Sequence, residues 1–229
     1  MPSPLESIHI VAERLDPLEI PYAFLGGAVM VLLVDHPALV EFRPTKDVDV
    51  IVEAVSYSPM SIIEQRLRDH GFKHDTSAGA PICRWIIEGC KLDVMPTDGT
   101  VFGMNSRWFP QALKLARRVS SGGNFSVNVI TPAFFLATKL DAFKDRGNGD
   151  YYVSHDIEDI VTLVDGRSAI VQDVAAAPSD VAAFVASAFA ELLQTPDFQD
   201  AFPGHLSGLM GARERRYLVL ERFGAISKL

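Results

Sequence analysis

The chain of 229 residues contains only two cysteines, Cys83 and Cys90. So few thiols exclude a secreted scaffold stapled by disulfides. They give no zinc pattern either. His70 and His74 bracket Gly71, which breaks the helix they would need, and neither stands at zinc-ligand spacing from the cysteines. Long apolar runs are also missing. Tyr22–Val34 is too short to cross a bilayer and includes Gly26 and Gly27, so no membrane association is expected. There is no basic excess. A formal net charge of -8 argues against a protein that coats nucleic acid without regard to sequence, although a local basic patch can sit on an acidic body. The N-terminal stretch lacks a basic start followed by an apolar run. No secretory leader is therefore expected, and the reading is a cytoplasmic protein. Three common signatures are absent: the Gly-x-Ser-x-Gly elbow, the phosphate loop ending in Gly-Lys-Ser/Thr, and the dinucleotide fingerprint.

What the sequence does have is core material. Hydrophobic residues make up 48% of the chain, enough for one domain or two small ones and too many for a disordered chain. Apolar residues recur at helical spacing over Pro4–Leu15, and Asp16-Pro17 ends that helix. Tyr22–Leu25 reads as a strand running into the Gly26-Gly27 turn. A helix is expected directly after Gly27, stopped by His36-Pro37. Asp47–Ala54 alternates acids with valines and reads as a strand. Ser58–Phe72 is an amphipathic helix with Ile62, Ile63 and Leu67 inward and Gly71 as its stop. Pro81–Asp98 holds two β-rich runs around Glu88-Gly89, which predicts a hairpin. Phe109–Val119 reads as a helix, and Gly122–Pro132 as a turn followed by a strand. Pro132 then opens a helix, and the pattern stays helical to the end. The expected class is α/β (α+β): a short mixed sheet flanked by helices over 1–130, then a helical region over 131–229.

Asp47 and Asp49 are two apart on a strand, so their side chains share a face. If the hairpin strand carrying Asp93 lies beside them, three carboxylates meet. They repel one another unless a cation stands between them. Mg²⁺ or Mn²⁺ suits oxygen donors together with substrate phosphates. Two such ions, about 3.5–4 Å apart, clamp the attacking and leaving oxygens of an in-line displacement. Gly26-Gly27 fits the same picture, since glycine at a strand end lets the backbone approach a phosphate and the next helix start points N–H groups at it. Each element has a plainer reading. Alternating acids guard a strand edge, paired glycines make a tight turn, and Asp93 is a surface acid or pairs with Arg84 across the hairpin.

Taken in order, "LGG", "TKDVDVIV" and "LDVMP" resemble the nucleotidyltransferase fold of the DNA polymerase β type over roughly the first 130 residues. The resemblance implies a nucleotidyltransferase core there, an NTP substrate and a divalent metal. Asp47, Asp49 and Asp93 would be the metal ligands and catalytic acids. Gly26, Gly27, Thr45 and Lys46 would contact the nucleotide. The stretch "TPAFFLATKLDAFKDRGNGDYYVSHDIEDIVTLVDGR" resembles the AbiEii-type toxin nucleotidyltransferases of type IV toxin–antitoxin systems. Thr138, Lys139, Ala142 and Arg146 match one motif, and Asp156, Asp159 and Ile160 a second. This implies that Lys139 touches the triphosphate, that Asp156 or Asp159 orients it, and that residues 131–229 complete the nucleotide site. On the residues alone, Phe135, Lys139, Phe143 and Arg146 share a helix face. Cations there also snorkel from a core, and acids after Ser154 also stabilise a helix start.

The activity so implied is transfer of a nucleoside monophosphate to an acceptor hydroxyl, with release of pyrophosphate. The implied acceptor is RNA, such as a tRNA end, for a toxin-like enzyme with a cognate antitoxin. The alternatives are a small molecule of the aminoglycoside type, a hydroxyl of a protein partner, and a non-catalytic nucleotide-binding protein of the same fold. Arg107, Lys114, Arg117 and Arg118 are the candidate RNA contacts, because they follow the strand carrying Asp93. Arg213, Arg215 and Arg216 read as a solvated helix face.

Overall fold

The computed structural model describes residues 2–36, 45–54, 56–99, 101–102, 106–122, 125–147, 149–206 and 212–229. Contacts divide the chain into two compact units. One comprises Met1–Leu32 and Arg43–Ile130, the other Leu33–Phe42 and Thr131–Leu229.

The first unit opens on α1 (Pro4–Leu15). Its start is capped reciprocally: the Glu6 amide donates to the Ser3 hydroxyl, and the Ser3 amide donates to the Glu6 carboxylate. The strands are β1 (Tyr22–Leu25), β2 (Asp47–Val52), β3 (Lys73–His74), β4 (Arg84–Ile87), β5 (Cys90–Pro96), β6 (Arg117–Ser120) and β7 (Ser126–Val129). They form one seven-stranded sheet in the order β3-β4-β5-β2-β1-β7-β6. β2 runs parallel to β5 and β1 parallel to β7, and the other neighbours are antiparallel. All four residues of β1 are buried, as a strand covered on both faces requires. In β2, Val48 and Val50 are buried while Asp47 and Asp49 are half-buried.

The hairpin between β4 and β5 turns on Glu88 and Gly89, with φ of 48° and 81°. Two successive left-handed residues make the turn that matches strand twist. Cys83 and Cys90 are both buried free thiols. The class is the expected α/β, with a mixed sheet followed in sequence by helices, though the sheet is larger than expected.

Three local expectations need correction. After a 3-10 turn at Gly27–Val29, α2 covers only Met30–Leu33. The backbone groups a longer helix would use are committed elsewhere: Arg167 donates to the Leu33 carbonyl at 2.8 Å, and the Asp35 amide donates to the Gly166 carbonyl at 2.9 Å. Pro37, half of the expected stop, lies outside the described residues. In α3 (Tyr57–Asp69), Ile62 is 55% exposed while Ile63 is 5% exposed. The buried stripe runs Met60, Ile63, Leu67, leaving Ile62 off it. Finally, α4 ends at Lys114 after starting at Phe109, and Arg117–Ser120 joins the sheet as β6. Pairing with β7 overrides the local helical pattern, and arginines suit an edge strand.

The second unit holds α5 (Pro132–Arg146), α6 (His155–Gly166), α7 (Ile170–Ala175), α8 (Ser179–Gln194), α9 (Pro196–Ala201) and α10 (Ala212–Ile226). Ser154 caps α6 by accepting from the Ile157 amide. Its core gathers Phe189, Phe198, Phe202 and Phe223, with ring centroids 4.4 to 6.0 Å apart. Among the described residues, no helix is long and apolar enough to cross a membrane.

The α3 assignment makes a direct prediction. Ile63→Ala should cost about 2–4 kcal/mol, as large-to-small core changes do, whereas Ile62→Ser should stay within about 0.5 kcal/mol. Urea melts of the two variants check this, and equal losses would contradict the assigned face.

Candidate active site

Strand register assembles the site. Asp49 of β2 stands opposite Asp93 of β5, and Arg84 of β4 stands opposite Asp93 from the other side. Residues directly across neighbouring strands share a face. Arg84, Asp93 and Asp49 therefore form a row over three strands spaced about 5 Å apart. Asp47 lies two residues before Asp49 on the same face. The other face of these strands presents Trp85, Leu92, Val48 and Val50, all buried. One alternating pattern thus builds both the core and the charged row.

Arg84 ties the row together. Its Nε donates to Asp93 Oδ1 at 2.8 Å, and its Nη2 donates to Asp93 Oδ2 at 2.8 Å and to Asp47 Oδ2 at 2.5 Å. The paired bonds to Asp93 are the planar fork geometry in which arginine is strongest. The hydrogen bond to Asp93 and the charges of Asp93 and Asp47 raise the Arg84 pKa above its ordinary value, against the opposing effect of burial. The hairpin pattern in the sequence offers an Arg84 pair as the alternative to a site role for Asp93. In the folded chain Asp93 meets Arg84 and also stands beside Asp49. Counting back from Glu88-Gly89 places Arg84 across from Asp93, so this contact was legible in the sequence.

Gly26 sits against the third acid. Leu25 pairs with Asp49, and Gly26 follows with φ of 73°. A Cβ on Gly26 would fall 1.9 Å from Asp49 Oδ2 and 2.7 Å from its Cγ. Glycine is needed here twice, for its left-handed backbone and for the close approach of the carboxylate. Gly27 begins the 3-10 turn. Thr45 is half-buried and Lys46 exposed, directly ahead of Asp47. With Asp47 and Lys91 they border a space of about 30 Å³, roughly the share of one water molecule.

The donor set fits a hard divalent cation, since it offers three carboxylates and already draws in one cation, Arg84. Among the described residues, no three acid, histidine or cysteine side chains are gathered to hold a metal ion as they stand. The guanidinium lies between Asp47 and Asp93, so ligation by all three acids requires Arg84 to move aside.

Lys139, Asp156 and Asp159 belong to the second unit. Lys139 Nζ lies 3.1 Å from Asp156 Oδ1 and 2.5 Å from Asp159 Oδ2, and all three residues are buried. Arg146 donates to Asp156 through Nε at 3.2 Å and Nη2 at 3.1 Å. Burial works to lower the Lys139 pKa, but the charges of Asp159 and Asp156 outweigh it and hold the ammonium above its ordinary value. Burial works to raise the Asp156 pKa, but Lys139 and Arg146 outweigh it and hold the carboxyl below its ordinary value. The two sequence motifs of this half therefore meet in one buried ion cluster.

The basic residues expected beside the acids are elsewhere. Arg107 and Lys114 line a cavity of about 980 Å³ with Tyr22, Glu53 and Asp98. That cavity lies where Tyr22 pairs with Val52, at the opposite end of β2 from Asp47. Arg117 and Arg118 are on the sheet edge, three strands from β2. The reason is direction. β5 runs on from Asp93 to Pro96, so the chain after it departs from the far end. Of the C-terminal arginines, Arg215 pairs with Asp165, its Nε donating at 3.0 Å.

No family model matches the chain, and no curated protein matches it in sequence. Among solved structures it is similar to an antigenic nucleotidyltransferase-like protein from Paracoccidioides brasiliensis. The identity is 20%, over 94% of this chain and 93% of that one, with a TM-score of 0.46. It is also similar to the antibiotic-resistance factor ANT(2'')-Ia in solution, at 12% identity over 82% and 92% of the two chains, with a TM-score of 0.49. For ANT(2'')-Ia in complex with adenylyl-2''-tobramycin the identity is 13%, over 82% and 97%, with a TM-score of 0.48. These are distant likenesses of backbone course.

Two predictions follow from the geometry. Gly26→Ala should destabilise the protein by about 1–3 kcal/mol. Adding Asp49→Gly should recover the clash component but not the backbone strain, giving a coupling of about 1 kcal/mol in a double-mutant cycle. Strict additivity would contradict the contact. In the ion cluster, Asp156 has a folded pKa below its unfolded value. Its contribution is complete above about pH 5 and falls away as pH drops through the unfolded and then the folded pKa. Asp156→Asn leaves Lys139 with Asp159 and should therefore cost about 1.5–3 kcal/mol at pH 7, the range for hydrogen bonds to a charged group, and the gap to the wild type should narrow in melts taken towards pH 2. A constant gap would contradict the pairing.

Proposed function

We propose that this chain is a nucleotidyltransferase, moving a nucleoside monophosphate from an NTP to an acceptor hydroxyl. The observation that carries the reading is the convergence of Asp47, Asp49 and Asp93 on one face of β2 and β5 beside the Gly26 turn. Asp47, Asp49 and Asp93 would hold Mg²⁺ or Mn²⁺, which when bound supplies Lewis acidity at the phosphates and neutralises their charge. The acceptor oxygen bonds to the α-phosphorus. The bond from that phosphorus to the bridging oxygen breaks, and pyrophosphate leaves with its electron pair. Asp93 takes the acceptor's proton. Gly26 and Gly27 offer backbone N–H groups to the β- and γ-phosphates, with Thr45 and Lys46 alongside.

RNA, such as a tRNA end, is the acceptor this reading adopts, with a cognate antitoxin as the protein's partner. It rests on the motif of residues 138–160 and not on the basic group, of which Arg107 and Lys114 lie at the other end of β2 and Arg117 and Arg118 on the sheet edge. The test is incubation of the protein with Mg²⁺ and each α-labelled NTP, with total bacterial RNA, with protein alone, and with an aminoglycoside panel. Label should enter RNA, with one nucleotide favoured. Asp47→Asn and Asp49→Asn should each reduce transfer to background while keeping the wild-type circular dichroism. Turnover by Asp49→Asn would contradict the acid's role. Label confined to the drug panel or to protein would overturn the RNA acceptor and keep nucleotidyl transfer.

A further inference from the structure

We propose that Arg84 is a resident counter-ion of the carboxylate centre, holding the place of a divalent cation and setting how tightly that cation binds. The inference rests on Asp47, Asp49 and Asp93 being cation ligands, as argued above, and concerns what competes for them.

Arg84 is not a bystander that happens to reach an acid. The hairpin register places it directly across from Asp93. From there its side chain extends over β5, takes both oxygens of Asp93, and ends on Asp47 of β2. It is well covered, at 15% side-chain exposure, as is Asp93 at 12%. Charge-assisted bonds in such a setting are strong and poorly screened by salt. Arg84 thus keeps Asp47 and Asp93 together without metal.

A divalent cation entering the row displaces the guanidinium from Asp47 and Asp93. Metal alone gains carboxylate ligands but strands an arginine that has lost its anions. Metal carrying a triphosphate gives that arginine a new anion within reach, because guanidinium suits phosphate as well as carboxylate. Arg84 therefore makes metal binding weak on its own and strong together with nucleotide. The two ligands are coupled through one side chain that has two alternative partners.

The experiment measures Mn²⁺ alone, by electron paramagnetic resonance of the free ion, in the wild type, Arg84→Gln and Arg84→Lys, with no turnover involved. Arg84→Gln should bind Mn²⁺ at least about tenfold more tightly than the wild type, the equivalent of one charge-assisted hydrogen bond removed from competition. Its metal-free melting temperature should fall, since the acids lose their counter-ion, and saturating Mn²⁺ should restore it. Arg84→Lys should lie between, because one ammonium cannot hold Asp93 and Asp47 in the same fork. If Arg84→Gln fails to fold by circular dichroism, Arg84→Lys decides on the same criteria. Equal Mn²⁺ affinity in the wild type and the folded variants would overturn the counter-ion role and leave the metal reading standing. No Mn²⁺ binding by any of them would overturn both.

Discussion

Like charges on adjacent strands constrain this fold more than any other feature. Two unit charges one strand spacing apart, near a protein surface, repel by about 3 kcal/mol. Here Asp49 and Asp93 are register partners, with Asp47 on the same face. A sheet that aligns three carboxylates this way must also supply a cation. The hairpin supplies it, because the two-residue turn at Glu88 and Gly89 brings Arg84 to Asp93 and no other register does. The tight turn, the alternation in β4 and β5 and the parallel pairing of β2 with β5 are thus all conditions for the same contact.

Gly26 belongs to the same arrangement. Its missing side chain leaves the volume that Asp49 occupies, and its left-handed backbone swings the chain away from β1 into the turn that follows. Phosphate recognition explains a glycine pair by what it leaves open to a ligand. The fold adds a second reason: the space is already needed by an acid of the row. In the second unit, Lys139, Asp156, Asp159 and Arg146 solve a similar problem in a different way, with opposite charges interleaved so that burial is tolerated.

Much of this was legible before folding, and the misses have physical causes. The hairpin, the acid-bearing strand and the start of α5 at Pro132 follow from local rules: turn stereochemistry, strand alternation and the tolerance of proline at a helix start. Residues 117–119 were misread because helix periodicity is local, whereas membership of β6 depends on a partner strand some ten residues on. Ile62 and Ile63 are adjacent, so a stripe drawn from composition alone includes both, while packing buries one. The basic residues 107–118 were placed beside Asp93 because they follow it in sequence. A strand carries its chain away from its own midpoint, and that direction put Arg107 and Lys114 at the other end of β2 and let the following strand, with Arg117 and Arg118, join the far edge of the sheet. Arg84 was visible as a partner for Asp93. Its reach to Asp47 was not, because that depends on β5 lying beside β2.

The central claim is that the three carboxylates form a cation centre for nucleotide chemistry. The most direct measurement is a crystal structure of the protein with Mn²⁺ and a non-hydrolysable NTP analogue, with Mn²⁺ located by its anomalous scattering. The account predicts a peak among Asp47, Asp49 and Asp93, the triphosphate beside the Gly26 turn, and Arg84 turned from the acids towards phosphate. Mn²⁺ and nucleotide bound elsewhere, with Arg84 still forked onto Asp93, would contradict it.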